Sequence, residues 1–312
     1  MNRNDINWRG YIPAITTPFD RGGAFNPTSL ETMVEWYVKN GMHGLVLAGT
    51  SGEWFSMNGD ELALLFTVGA RAVAGRITVI GGCNAFTARD AIEKARSAER
   101  AKLDGILLTP PPYIVPGRSE ILRFYKDVAA ATNIPICVYN WPRGCVVDMD
   151  IDLLEELSEI DRVVAIKNST GSLALFLEGA YRLRDKVRYF NMPSTALGAD
   201  LVMQGVSDGL MGAGGILGSD HPDFWNRAWA GDKAGAIEFG ERDRVLMKDW
   251  VNKDFAGKFG SLQAILKTAL RMRGLPAGYV RAPLLELEPH EVEIVRSTLL
   301  SLGIEIDTAY SP

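Results

Sequence analysis

The chain has 312 residues, 47% hydrophobic and 23% charged, enough to bury one large α/β domain or two smaller ones. Its formal net charge is −5 with no block of like charge, which argues against nucleic acid and anionic membrane surfaces as partners. Three cysteines, Cys83, Cys137 and Cys145, make no Cys-x-x-Cys pair; they offer no disulfide framework or metal site and suit a reducing compartment.

The N-terminus, from Met1 to Trp8, lacks the apolar core of a signal peptide, and no apolar run approaches a membrane span. A cytoplasmic location is therefore expected. Short β-rich runs then alternate with helical patterns. Strands are predicted to begin near Tyr11, Gly44, Ile77, Gly105, Ile134, Val163, Val187 and Gly209. Helices are predicted over 29–40, 60–73, 88–102, 119–132 and 151–159. Cap-type residues open several of them: Thr28 or Ser29, Asn58, Thr87 and Ser172. Eight strand-then-helix units predict a (β/α)8 TIM barrel over 1–230, carrying the active site. A doubly wound sheet of five or six strands is the alternative, and it leaves units unused. Helical stretches at 233–250, 262–272 and 289–302, interrupted by the Pro/Gly-rich passage 274–283, predict a C-terminal helical extension. This extension, 231–312, is expected to pack on the barrel.

One residue departs from the strand pattern. Val163-Val164-Ala165-Ile166 reads as a buried strand, yet it runs straight into Lys167. Burial disfavours an ammonium, and an amine held partly neutral can attack a carbonyl and form a Schiff base. The plainer reading is a lysine that reaches back to solvent from the strand end. In a barrel, catalytic groups sit at the C-terminal ends of strands. The unusual polar residues fall there: Gly49-Thr50-Ser51-Gly52-Glu53 after strand 2, Thr109-Pro110-Pro111-Pro112-Tyr113 after strand 4, and Tyr139-Asn140-Trp141-Pro142 after strand 5.

The set formed by Gly49-Thr50-Ser51-Gly52-Glu53, Tyr139-Asn140-x-Pro142 and Ile166-Lys167-x-Ser169-Thr170-Gly171 resembles the dihydrodipicolinate synthase / N-acetylneuraminate lyase superfamily. These are class I pyruvate aldolases and related lyases. The resemblance runs from Gly10-Tyr11-Ile12-Pro13-Ala14, through Thr17-Pro18-Phe19, to Val280-Arg281-Ala282-Pro283-Leu284. It implies that Lys167 attacks the 2-keto carbon of a 2-oxo acid to form an iminium. It also implies that Tyr139 shuttles protons with help from the Thr50 hydroxyl, and that Tyr113 enters a neighbouring subunit's relay. Gly49, Thr50 and Ser51 would grip the substrate carboxylate through backbone N–H groups and hydroxyls. No metal and no organic cofactor are implied. The partners implied are a small 2-oxo acid and an aldehyde, with a homotetramer built as a dimer of dimers.

Each residue also has a duller reading. Thr50 and Ser51 could be turn residues, Tyr139 a packing tyrosine, Tyr113 a loop cover and Glu53 a loop anchor. Gly212-Ala213-Gly214-Gly215 after strand 8 could cradle phosphate, but no Lys or Arg lies within 206–220. Close backbone approach to substrate is favoured, which makes Gly212 and Gly214 binding candidates. His43, His221 and His290 are too scattered for a triad or a metal site.

Two departures bear on substrate. Dihydrodipicolinate synthases read Tyr-Asn-x-Pro-x-Arg-Thr-Gly; here Arg143 stands one position early and Gly144-Cys145-Val146 follows. Either a reshaped loop redirects Arg143 to a substrate carboxylate, or the substrate carries none there. Asn191-Met192-Pro193 stands where many relatives carry an acidic pair, and Asn168 where sialic-acid lyases carry an aromatic residue. Trp54, Trp141 and Met192 either make the mouth less polar or pack under loops. The expected function is a Schiff-base lyase or aldolase that cleaves a 2-keto-3-deoxy-type acid to pyruvate and an aldehyde, or the reverse. The alternatives are 4-hydroxy-tetrahydrodipicolinate synthase chemistry from pyruvate and aspartate semialdehyde, dehydration or deamination through the same iminium, and a non-catalytic 2-oxo acid-binding barrel. A metal-dependent hydrolase is disfavoured by the lack of converging His and carboxylate ligands.

Overall fold

The computed structural model describes residues 1–310; positions 311–312 of the expected extension lie outside the described residues. Short apolar runs bounded by glycine and polar turns form eight strands: β1 Gly10–Tyr11, β2 Gly44–Leu47, β3 Thr78–Gly82, β4 Gly105–Leu108, β5 Ile136–Asn140, β6 Val163–Asn168, β7 Arg188–Phe190 and β8 Gly209–Leu210. From β2 to β8 each strand pairs in parallel with the next, and β8 pairs with β1. Ala14 closes the ring by bridging both Val46 of β2 and Ala213 beyond β8. Its N–H donates to the Gly212 carbonyl at 2.8 Å, while the Ile15 N–H donates to Val46 at 3.1 Å. The result is a (β/α)8 barrel, not a doubly wound sheet.

The helices are α1 Pro27–Lys39, α2 Gly59–Val73, α3 Ala88–Arg100, α4 Arg118–Ala131, the short α5 Pro142–Cys145, α6 Ile151–Ser158, α7 Leu173–Leu183, α8 Ala196–Met203 and α9 Asp220–Trp229. Three follow the barrel: α10 Lys233–Trp250, α11 Leu262–Met272 and α12 Pro289–Ser301. Asn58, Thr87 and Ser172 cap α2, α3 and α7 as expected. The cap of α1 is Asn26, not Thr28 or Ser29: Pro27 takes the first helical position, where no N–H is needed, and Asn26 accepts from the Ser29 N–H at 3.0 Å. No helix among the described residues is long and apolar enough to cross a membrane.

The strand pleat divides the core in two. Ile12, Val46, Ile80, Leu107, Cys137 and Phe190 fill the barrel, whose N-terminal end is plugged by Trp8. Leu45, Leu47, Ile106, Val138 and Ile166 face the surrounding helices. Gly105 makes room for the plug, since a Cβ there would lie 2.2 Å from the Trp8 ring. Between β5 and β6 the ladder shifts by one residue: Ile136 pairs with Val163, but Cys137 pairs with Ala165.

A buried ion pair ties α11 to the barrel mouth. Lys267 and Glu53 are both 0% exposed, and Lys267 Nζ donates to Glu53 Oε1 at 2.5 Å and to the Tyr279 carbonyl at 2.6 Å. Glu53 Oε2 accepts from the Arg281 N–H at 3.1 Å, and Gln263 Nε2 of α11 donates to the Thr50 carbonyl at 3.0 Å. The loop after β2 is thereby held from the C-terminal side. Replacing one partner leaves the other charge buried and uncompensated. Lys267→Met is expected to destabilise the fold by about 3–5 kcal/mol, and the double variant Glu53→Gln/Lys267→Met by less. Urea unfolding midpoints at constant slope measure both; equal losses in the single and double variants would contradict this account.

Candidate active site

The register shift sets the phase of the two residues that meet at the mouth. Beyond it Tyr139 stands opposite Lys167, and Lys167 opposite Phe190. Tyr139 and Phe190 face the barrel interior, so Lys167 does too. Its Nζ lies 4.2 Å from the centre of the Tyr139 ring, and the residue is only 6% exposed. Burial pulls its ammonium down to about 8, with the neighbouring Cys137 opposing. Lys267 has a carboxylate partner; Lys167 faces an aromatic ring and a thiol instead.

Tyr139 is buried and stacks on Trp141, with ring centroids 5.6 Å apart and planes at 26°. Burial raises its phenol above the usual range, while the Ser169 and Thr50 hydroxyls beside it draw it down. Thr50 follows β2 and Ser169 follows β6, so closure of the barrel brings both to the phenol of β5. Ser169 is a member of the site that residue-by-residue reading passed over. Its signal was its position two residues beyond Lys167, on the same side of the strand.

The strand ends are locked by amides. Asn140 is buried; its Nδ2 donates to Asp148 Oδ1 at 2.7 Å and to Asn168 Oδ1 at 2.9 Å, and its Oδ1 accepts from the Met149 N–H at 3.1 Å. Asn168 Nδ2 donates to the Tyr189 hydroxyl at 2.7 Å. The Thr170 hydroxyl donates to Asp148 Oδ2 at 2.8 Å. The asparagines flanking Tyr139 and Lys167 therefore position the strands, and Asn168 also borders the cavity. Asn191, which follows β7, has a backbone φ of +97°. Its Nδ2 donates to Ser169 Oγ at 2.6 Å, and its Oδ1 is buried without a partner.

These groups open on a cavity of about 760 Å³. Of the expected site residues, Lys167, Tyr139, Thr50, Ser51, Arg143, Trp141, Asn191 and Gly212 line it, and so do Trp54 and Met192. Gly49 is buried against Ala14 behind the wall. Gly214 turns away, its φ of +71° presenting its carbonyl to the Tyr37 hydroxyl at 2.6 Å. Gly212 is needed for a different close approach from the one expected, since a Cβ there would lie 2.5 Å from the Tyr11 hydroxyl. Arg143 is half exposed and pairs with the exposed Asp254 at 3.3 Å. Tyr113 does not reach the cavity within this chain; it is 86% exposed at a φ of +73°. His221, set aside as scattered, lines the cavity together with Asp243.

Comparison with known proteins places this geometry. The dihydrodipicolinate synthetase family model matches residues 7–301. An uncharacterized DapA-like lyase of Rhizobium meliloti is 30% identical, with 89% of this chain and 90% of that protein covered. The 4-hydroxy-tetrahydrodipicolinate synthase of Oceanobacillus iheyensis is 28% identical over 94% of this chain and 97% of its own. Among solved structures, the chloride-inhibited dihydrodipicolinate synthase of Acinetobacter baumannii, complexed with pyruvate, superposes with a TM-score of 0.84 at 28% identity, covering 95% of this chain and 99% of that one. Sequence and barrel agree over nearly the whole length, and the chain belongs to the dihydrodipicolinate synthetase family.

Proposed function

We propose that this chain is a Schiff-base-forming lyase that joins or cleaves a 2-oxo acid at the carbon beside its keto group, with pyruvate and an aldehyde as the two halves. The observation that carries this reading is the buried Lys167 amine, drawn down to about 8 and set against Tyr139, with no ion-pair partner among the described residues. The neutral amine attacks the keto carbon. Tyr139 protonates the departing hydroxyl, water leaves, and the iminium then serves as the electron sink for making or breaking the carbon–carbon bond. The hydroxyls of Ser169 and Thr50 stabilise the transient phenolate, and Thr50 and Ser51 receive the carboxylate.

The printed names of the relatives favour a second reading, condensation of pyruvate with aspartate semialdehyde. Arg143 weighs against it, because its charge is already met by Asp254 at 3.3 Å. An aldehyde without a carboxylate at that point suits the wall of Trp54, Trp141 and Met192 better. Tyr113, exposed beside the exposed apolar side chains of Ile114 and Val115, supports an assembly in which it enters a neighbour's site, in a homotetramer of paired dimers.

Borohydride reduction in the presence of pyruvate is expected to leave a pyruvyl adduct on the Lys167 peptide. Lys167→Ala should abolish the adduct and lower turnover at least about 1,000-fold. No adduct on the unaltered chain would overturn the reading. Because the nucleophile is the unprotonated amine, adduct formation should rise with pH, about tenfold per unit below roughly pH 8, and level off above it. A profile that keeps rising about tenfold per unit past pH 9 would contradict the lowered amine. Tyr113→Phe should slow turnover while the adduct still forms; full activity in that variant would remove Tyr113 from the relay.

A further inference from the structure

Past Leu210 the cavity continues into the gap between the barrel wall and α9 and α10, where Tyr11, His221, Asp243 and Trp250 line it. The polar groups of this recess are short of partners. Both ring nitrogens of His221 and Nε1 of Trp250 are buried without a hydrogen bond. His221 stacks flat on Tyr11, with centroids 4.1 Å apart and planes at 4°. Its Nδ1 is 3.8 Å from Asp243 Oδ1, beyond hydrogen-bond length. Gly212 lets its backbone pack close against the Tyr11 ring and hydroxyl, where a Cβ would lie 2.5 Å from the hydroxyl. A buried polar group left unpaired costs about 1–3 kcal/mol, so three such nitrogens on two side chains around one hollow point to something polar that enters it.

The donors and acceptors define the visitor. Burial pushes His221 down to about 3, so its ring is neutral and offers one donor and one acceptor. Trp250 can only donate, and Asp243, once ionised, can only accept. A hydroxyl satisfies both, donating to Asp243 and accepting from Trp250 or His221. A carboxylate would meet the charge of Asp243. The cavity that holds both Lys167 and the recess has Met192, Leu210, Leu246 and Leu266 among its apolar lining. The recess adjoins β8, two strand spacings from the β6 lysine, or about 10 Å.

We propose that this recess receives the far end of the aldehyde half of the substrate, and selects an apolar stem that ends in a hydroxyl about 10 Å from the reacting carbon. The proposal rests on the Schiff-base reading of Lys167. His221 and Asp243 are then specificity-determining residues that act away from the bond being made.

The test uses the full chain with pyruvate and three aldehydes of matched length, ending in a hydroxyl, a methyl or a carboxylate. The unaltered enzyme should favour the hydroxyl over the methyl end in kcat/KM by at least about tenfold. Asp243→Leu should bring that ratio to within about threefold of parity. Asp243→Asn should raise the carboxylate-ended aldehyde about tenfold relative to the methyl-ended one, because the repelling charge is gone. His221→Phe, which keeps the stack on Tyr11, supplies a further test should Asp243→Leu fail to fold. Ratios are compared within each variant after a pyruvate adduct on Lys167 has been verified, which separates loss of the reacting site from loss of tail selection. Equal rates for the hydroxyl and methyl ends, or ratios that no variant moves, would overturn the proposal and leave the recess as a buried water site, with the Schiff-base reading intact. Absence of the adduct in the unaltered chain would overturn that reading itself.

Discussion

The one-residue shift in the ladder between β5 and β6 is the constraint on which the site depends. Side chains alternate across a strand, so a slip of one flips every later residue to the other face. Had Val164 paired with Cys137 and no residue bulged, Tyr139 would stand opposite Ile166, and Lys167 would point outward among the helices. With the shift, Ile166 packs outward while Lys167 and Tyr139 point inward, side by side. The interior is a poor place for an ammonium. Desolvation moves the equilibrium toward the free amine, which is the form that reacts. Packing geometry and nucleophilicity thus come from the same feature.

Around that pair the fold spends its polar interactions on rigidity. Asn140 and Asn168 fasten β5 and β6 to each other, to Asp148 and to Tyr189. The Glu53–Lys267 pair and Gln263 hold the Thr50 loop from α11. An aldolase needs a hydroxyl, a phenol and an amine kept within a fraction of an ångström of a working arrangement. The helices beyond the barrel contribute to this placement, and α9 and α10 also build the far wall of the cavity with His221, Asp243 and Trp250. In the proposed reading the reacting groups sit on the strand ends and the surroundings of the distal tail are built by the helices, so the two could vary separately.

Much of the fold was legible in the chain because its signals are local. Every strand begins within three residues of its expected start, since each is a short apolar run between turn residues. The final helices 233–250 and 262–272 fall as Lys233–Trp250 and Leu262–Met272. The cap of α1 was misread because both Asn26 and Thr28 are good caps, and the choice turns on Pro27 at the first helical position. The brief α5 carries too few residues to show a period. In the site, Lys167, Tyr139, Thr50 and Ser51 were legible as short motifs at strand ends, and all four line one cavity. Gly49 was expected to join the carboxylate grip and Gly214 to approach substrate closely, yet one backs the wall and the other serves a turn with positive φ.

The sequence by itself determined the alternation of strands and helices, the strand that ends in lysine, and the family motifs, because these are carried by contiguous residues. The tertiary structure decided which of those residues meet. It put Ser169 and Thr50 at one phenol, although they lie more than a hundred positions apart in the chain. It also joined His221 to Asp243 across two helices that no local pattern links. Barrel closure and the register shift are the physical reason: both depend on pairing between strands, and a single strand's composition carries no record of its neighbour's register.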